Sequence, residues 1–109
     1  MQDLQNAPEF AQAYFAAAAA ASSDQYIALF SDTVVVRDDG HTHRGLAAVR
    51  RWHDAAPTVL YALREVTGTA TACQAVAEVS GDFPGSPVDL RFAFERDRTG
   101  KITVLDISV

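Results

Sequence analysis

VVVRDDGHTHRGLAAVRRWHDAA, Val34 to Ala56, is the stretch on which the fold turns. Its opening is β-branched and apolar and reads as a strand from Thr33 to Arg37. Asp39-Gly40 between two extended runs signals a hairpin, because a type I′ turn needs positive φ at both central residues. His41–Arg44 reads as the return strand. Gly45 then opens a helix that runs to Ala56, where Pro57 stops it. Asp38 and Asp39 sit at the turn, His41 and His43 on the return strand, and His53 on the helix. Any chemistry is expected to draw on this stretch.

Upstream, the pattern is helical. Pro8 suits the first turn of a helix, with Asn6 or Ala7 near its cap and Glu9 placed well against the N-terminal dipole. That helix is predicted to run to about Ala21, and Phe10, Tyr14, Ala17 and Ala21 define one face. Alanines on this face let another element approach closely or leave room for a cavity. Ser22-Ser23-Asp24-Gln25 matches a capping box, and starts a short second helix, Asp24–Phe30, that contributes Tyr26, Ile27 and Phe30.

Downstream, the period switches to two. Thr58–Thr67, Thr71–Gly81, Val88–Arg96 and Lys101–Val109 read as strands rich in β-branched and aromatic residues. In the third, Val88, Leu90, Phe92 and Phe94 share one face, and Asp89, Arg91, Ala93 and Glu95 the other. Pro84-Gly85-Ser86-Pro87 and Asp97–Gly100 are turns. Helices first, a small hairpin, one more helix and then four antiparallel strands make an α+β architecture.

Composition narrows the functions. The 109 residues fit one domain, 49% apolar and 21% charged, an ordinary globular balance. A net charge of −5 argues against a nucleic-acid partner or an anionic membrane surface, either of which wants a basic face. Cys73 is the single cysteine, which excludes an intramolecular disulfide and argues against a cysteine metal site. The Ala16–Ala21 run has no basic segment before it, so a signal peptide is not expected, and no apolar stretch is long enough to span a membrane. The expected location is cytoplasmic.

The order of elements resembles the NTF2-like cone of the SnoaL-like and ketosteroid isomerase families. The local match is YIALFSDTVVVRDDGHTHRGLAAVRRW, residues 26–52: a helix exit of the form LF-D-V, an extended run ending in acids, then Arg-Gly and a helix carrying an aromatic. The resemblance implies N-terminal helices packed on a curved four-stranded antiparallel sheet plus a short hairpin, with residues 1–109 forming one such domain. It also implies a homodimer through the outer sheet face. The chain stops at Val109 inside its last predicted strand, where relatives often continue and help close the pocket; an open pocket would exclude water poorly and weaken electrostatic catalysis. The fold hosts isomerases, hydrolases, dehydratases, cyclases and binding modules, so function has to come from the site.

Ketosteroid isomerases use a tyrosine of the first helix as oxyanion donor, and Tyr14 in FAQAYFAA matches its place. They use an aspartate ending the first short strand as general base, and Asp38 in VVVRDD matches that. An aromatic of the third helix lines their pocket, matched by Trp52. Their third group is an aspartic acid kept neutral at pH 7, in the strand before the last hairpin. Here the corresponding position is Leu90. Asp89 is one residue away and, by strand alternation, on the other face.

Asp38 then reads as a general base in apolar surroundings supplied by Val36, Phe30 and Trp52, or as a solvated acid flanking a turn. Tyr14 reads as a donor to a ligand oxygen, or as a core aromatic with its hydroxyl satisfied elsewhere. Phe10, Phe30, Trp52, His53, Leu90 and Phe92 are the expected substrate-binding set, the alternative being a filled core. His41 and His43 share one side of a strand and with Asp38 or His53 could in principle ligate a metal. Such a pair on a short exposed hairpin more often faces solvent and no further ligand motif supports it, so no metal is expected; no cofactor is expected either. The functional expectation is a cofactor-independent protein that binds a small apolar carbonyl compound and moves a proton beside the carbonyl. The alternative is a non-catalytic ligand-binding or dimerisation module. Activation of water by Asp38 for hydration or epoxide opening is a third option.

Overall fold

Asp39 and Gly40 both take positive φ, 50° and 77°, so the turn has the hand the sequence asks for. A computed structural model describes residues 4–109. The turn joins β1 (Phe30–Asp38) to β2 (His41–Arg44), with Asp38 opposite His41 and Val36 opposite His43. Gly45 follows at φ 83° and hands the chain to α3 (Leu46–Ala55). Only glycine takes that conformation cheaply, so the abrupt change from strand to helix is built on this residue.

Two helices precede the hairpin. In α1 (Ala7–Ala18) the Asn6 side chain accepts a hydrogen bond from the Glu9 amide at 2.9 Å, a standard N-cap. Phe10, Tyr14 and Ala17 face inward as the spacing predicts, Ala11 and Phe15 are buried beside them, and Ala21 is exposed. The helix stops at Ala18, short of Ala21. A shorter α2 (Ser23–Ile27) begins at the Ser22 cap. It releases Phe30 to start β1, so the strand is longer than its β-branched core.

The four later strands are β3 (Val59–Gly68), β4 (Ala72–Gly81), β5 (Val88–Arg96) and β6 (Ile102–Ser108). They pair antiparallel in sequence order. The hairpin does not stand apart from them. β1 pairs parallel to β6, giving one six-stranded mixed sheet in the order β2-β1-β6-β5-β4-β3. Register shifts in β1, β3 and β6 add residues to one strand of a pair only, which bends the sheet around the helices. The concave face and α1 enclose the core, with Val34, Val36, Ala77, Phe94 and Leu105 almost wholly removed from water. The result is the α+β, NTF2-like cone expected from the sequence, with four strands and the hairpin fused into one sheet.

Candidate functional site

Strand alternation decides what Asp38 does. Val34 and Val36 are fully buried on the concave face, so Asp38, two residues further, points the same way but reaches the sheet's end half-buried. On α3 the spacing of Val49, Trp52 and His53 puts all three on the side facing β1 and α2. Trp52 donates its indole Nε1–H to Asp38 Oδ2 at 3.0 Å. This bond fixes one carboxylate oxygen and leaves the other without a hydrogen-bond partner among the described residues. The charge-assisted bond also anchors the half-buried indole.

Asp38 and Trp52 lie on the wall of a cavity of about 460 Å³ between the helices and the concave sheet. Of the residues the sequence singles out, the structure brings Tyr14, Asp38, Trp52, His53, Leu90 and Phe92 to this cavity. Phe10 and Phe30 are not part of its lining. Phe10 packs edge-on to Phe94 with the Arg96 guanidinium 4.1 Å over its ring, and Phe30 packs against Tyr26. Both are core residues: Phe10 sits one helical turn before Tyr14 on α1, and Phe30 opens β1 at the end away from Asp38. Asp39, Tyr26, Tyr61 and Phe83 join the lining without having been singled out for it.

Leu90 faces the cavity and Asp89 is exposed on the outer face. The unbroken register Val79↔Val88, Glu78↔Asp89, Ala77↔Leu90 shows that no bulge turns the acid inward. The polar groups of the site are therefore Asp38, Asp39, the tyrosines and His53. No lysine or arginine is among the lining residues described. Nor does any group of three His, Cys, Asp or Glu side chains, among the described residues, converge to hold a metal ion.

Tyr14 is committed in a way the sequence does not reveal. Its hydroxyl lies 2.8 Å from that of Tyr26, and both side chains are buried. Burial pushes the Tyr14 hydroxyl well above the ordinary tyrosine value, with the neighbouring Tyr26 and the Asp38 charge adding to it. Burial also raises Tyr26, and Tyr61 is raised by burial and then by Asp38. All three phenols thus remain protonated donors around neutrality. His53 stacks flat on the Tyr26 ring, centroids 3.9 Å apart and planes 13° off parallel. Desolvation lowers its pKa below the usual value, partly offset by Asp54, so the imidazole is neutral at pH 7. The sequence signal for Tyr26 was a tyrosine at a buried helix position, which wants a partner for its hydroxyl. That the partner is Tyr14 is a matter of tertiary packing.

Known proteins place the chain. The model of the SnoaL-like domain family matches residues 11–105. Among solved structures, protein SMa1630 of Sinorhizobium meliloti, to which polyketide cyclase activity is ascribed, is 34% identical over 93% of this chain and 94% of its own, with a TM-score of 0.85. The RV0760c protein of Mycobacterium tuberculosis, solved in complex with estradiol-17beta-hemisuccinate, superposes at a TM-score of 0.77 with 19% identity, covering 96% of this chain and 95% of that one. The delta 5-3-ketosteroid isomerase of a Mycobacterium species gives 0.78 and 19%, over 94% and 92% of the two chains. Among curated proteins none matches significantly. The last two likenesses speak for the fold alone; the family match spans most of the sequence, and the chain belongs to the SnoaL-like family.

Proposed function

We propose that the protein binds a small, uncharged, largely apolar carbonyl compound and moves a proton at the carbon next to its carbonyl. The observation that carries this reading is that Asp38 and Tyr14 line one cavity. Asp38 serves as the base: its oxygen not bonded to Trp52 takes the proton from the α-carbon and returns it to the product. The tyrosine hydroxyls serve as the electrophile. They donate to the carbonyl oxygen as negative charge grows on it, in a site that Trp52, Leu90 and Phe92 keep apolar. With leucine at position 90, enolate stabilisation rests on phenols alone. The acids on the wall and the absence of a basic lining residue favour an uncharged ligand over a carboxylate or phosphate.

The same reading carries three further proposals. The protein acts as a homodimer through the outer face of its sheet. Its net charge of −5 supports a small molecule, and not nucleic acid, as its partner. It works in the cytoplasm. No helix of the described residues is long and apolar enough to cross a membrane.

Hydrogen–deuterium exchange at the α-carbons of a panel of enolisable aryl and alicyclic ketones, followed by NMR in D2O, tests the catalytic part. The expected result is exchange faster than in buffer for at least one ketone, slowed about 100-fold or more by Asp38→Asn. Exchange no faster than buffer across the panel, or equal rates in Asp38→Asn, removes the catalytic reading.

A further inference from the structure

Two hydroxyls bonded only to each other have two protons and use one. Tyr14 and Tyr26 are in this position: their oxygens are 2.8 Å apart, both side chains are buried, and no third partner of either appears among the described residues. The second proton has no acceptor in the protein. Both residues border the cavity, so the space open to that proton is the space a ligand fills.

The surroundings of the two rings say which hydroxyl faces the ligand. The Tyr14 ring is packed among sheet and helix aromatics, with Phe94, Phe15 and Phe92 at 4.8, 4.9 and 6.0 Å. The Tyr26 ring lies on the other side, flat against His53 and 6.4 Å from Trp52, whose indole holds Asp38. Tyr26 is thus on the side of the base, and Tyr14 stands behind it. The 2.8 Å contact lets either hydroxyl donate; with Tyr26 on the side of the base, the arrangement that turns a free proton toward the ligand is Tyr14 donating and Tyr26 accepting. A hydroxyl that accepts a hydrogen bond is polarised into a better donor.

We propose that Tyr26 is the residue that donates to the ligand oxygen, that Tyr14 aligns and polarises it from behind, and that the oxygen they receive is an uncharged carbonyl. This rests on the reading that the cavity takes a carbonyl compound. It reassigns the donor from Tyr14, the residue the family resemblance indicates, to a residue of α2. Asp38 and Asp39 on the wall, with no basic residue in the lining described, make the pocket unfavourable to an anionic oxygen in the free ligand.

The test is the carbonyl stretch of 13C-labelled 2-acetonaphthone bound to the full chain, read by difference infrared spectroscopy beside the dissociation constant. In the wild type the stretch falls below its value in hexane. Tyr26→Phe loses most of that shift and weakens binding about tenfold, whereas Tyr14→Phe keeps most of it and weakens binding about twofold. A shift that survives in Tyr26→Phe but vanishes in Tyr14→Phe makes Tyr14 the donor and overturns the assignment. An unshifted carbonyl in the wild type, or a ketone that does not bind, overturns it as well. Should Tyr26→Phe fail to fold, 3-fluorotyrosine placed at position 26 is the alternative: its more acidic phenol enlarges the shift, and an unchanged shift refutes the proposal. None of these readouts needs turnover. A Tyr26-dependent shift without proton exchange rejects catalysis alone, and exchange without that dependence rejects the Tyr26 assignment alone.

Discussion

Asp38 becomes a cavity acid because it stands two and four residues after valines that the sheet buries completely; Asp39, next to it, takes the positive-φ turn position at the cavity's edge. What then holds its carboxylate is the Trp52 indole. Trp52→Phe keeps the ring and removes the N–H, so the expected loss is positional. Stability falls by about 1 kcal/mol, while proton exchange slows roughly ten- to a hundredfold through misplacement of the base. Thermal melts and NMR exchange rates on the same samples separate the two effects, and an unchanged exchange rate would show that the bond does not position the base. His53 gives a pH effect whose sign follows from its burial. Its folded pKa lies below its unfolded value of 6.5, so between the two the unfolded chain binds more protons and stability rises with pH. The stabilisation is fully present above about 6.5 and is lost as pH falls through the folded value. Urea midpoints measured from pH 7.5 down to 5.5 are expected to drop in the wild type and to drop less in His53→Gln. Parallel curves would exclude His53 as the source.

Among the elements, what was local in the sequence was legible and what depended on distant pairing was not. The Asp39-Gly40 turn, the return strand His41–Arg44 and the bounds of β5 follow from turn chemistry and alternation within a few residues. The alternation also put Leu90 inward and Asp89 outward. The parallel pairing of β1 with β6 left no mark, because neither strand's pattern says which edge it will meet. Tyr26 was missed for the same reason, its partner being on another helix. Arg96 is a further long-range device. A buried guanidinium at the end of β5, it donates from Nη1 to the carbonyls of Gln5 and Ala70, at 3.1 and 2.6 Å, and from Nε to that of Gly100 at 3.2 Å. It covers Phe10 and so ties the start of α1 to two strand turns. Arg96→Ala leaves three carbonyls without their donor and opens space over Phe10. The expected loss is about 3 kcal/mol, read as a fall of roughly 12–24 °C in Tm. A fall of only a degree or two would mean that water replaces the guanidinium at little cost.

At the scale of the whole molecule, the concave face is occupied by helices and core, and the convex face carries none of them. On that face strand alternation sets out Val35, Val76, Ala93 and Val104, none of them fully buried, with Leu60 74% exposed on edge strand β3. Two ion pairs interrupt it, Arg64 with Glu78 at 2.9 Å and Arg37 with Asp106 at 4.0 Å, their side chains between 35% and 54% exposed. Exposed pairs of this kind add little to the monomer's stability, but they punctuate an apolar surface in a way suited to a partner with the same pattern related by a two-fold axis. The homodimer proposed above would cover this face and leave the cavity, which opens on the opposite side of the sheet, accessible to ligand. Light scattering on the eluting protein at about 100 µM is expected to give twice the chain mass of 11.7 kDa. Leu60→Glu combined with Val104→Arg places charge on the face without touching the core or the cavity wall, so it is expected to yield monomer with an unchanged fold by circular dichroism and an unchanged affinity for 2-acetonaphthone. A wild-type protein that elutes as a monomer at that concentration would remove the dimer. A double variant that stays dimeric would move the interface to another surface, and a variant that turns monomeric and also loses ligand would mean that the second copy completes the cavity.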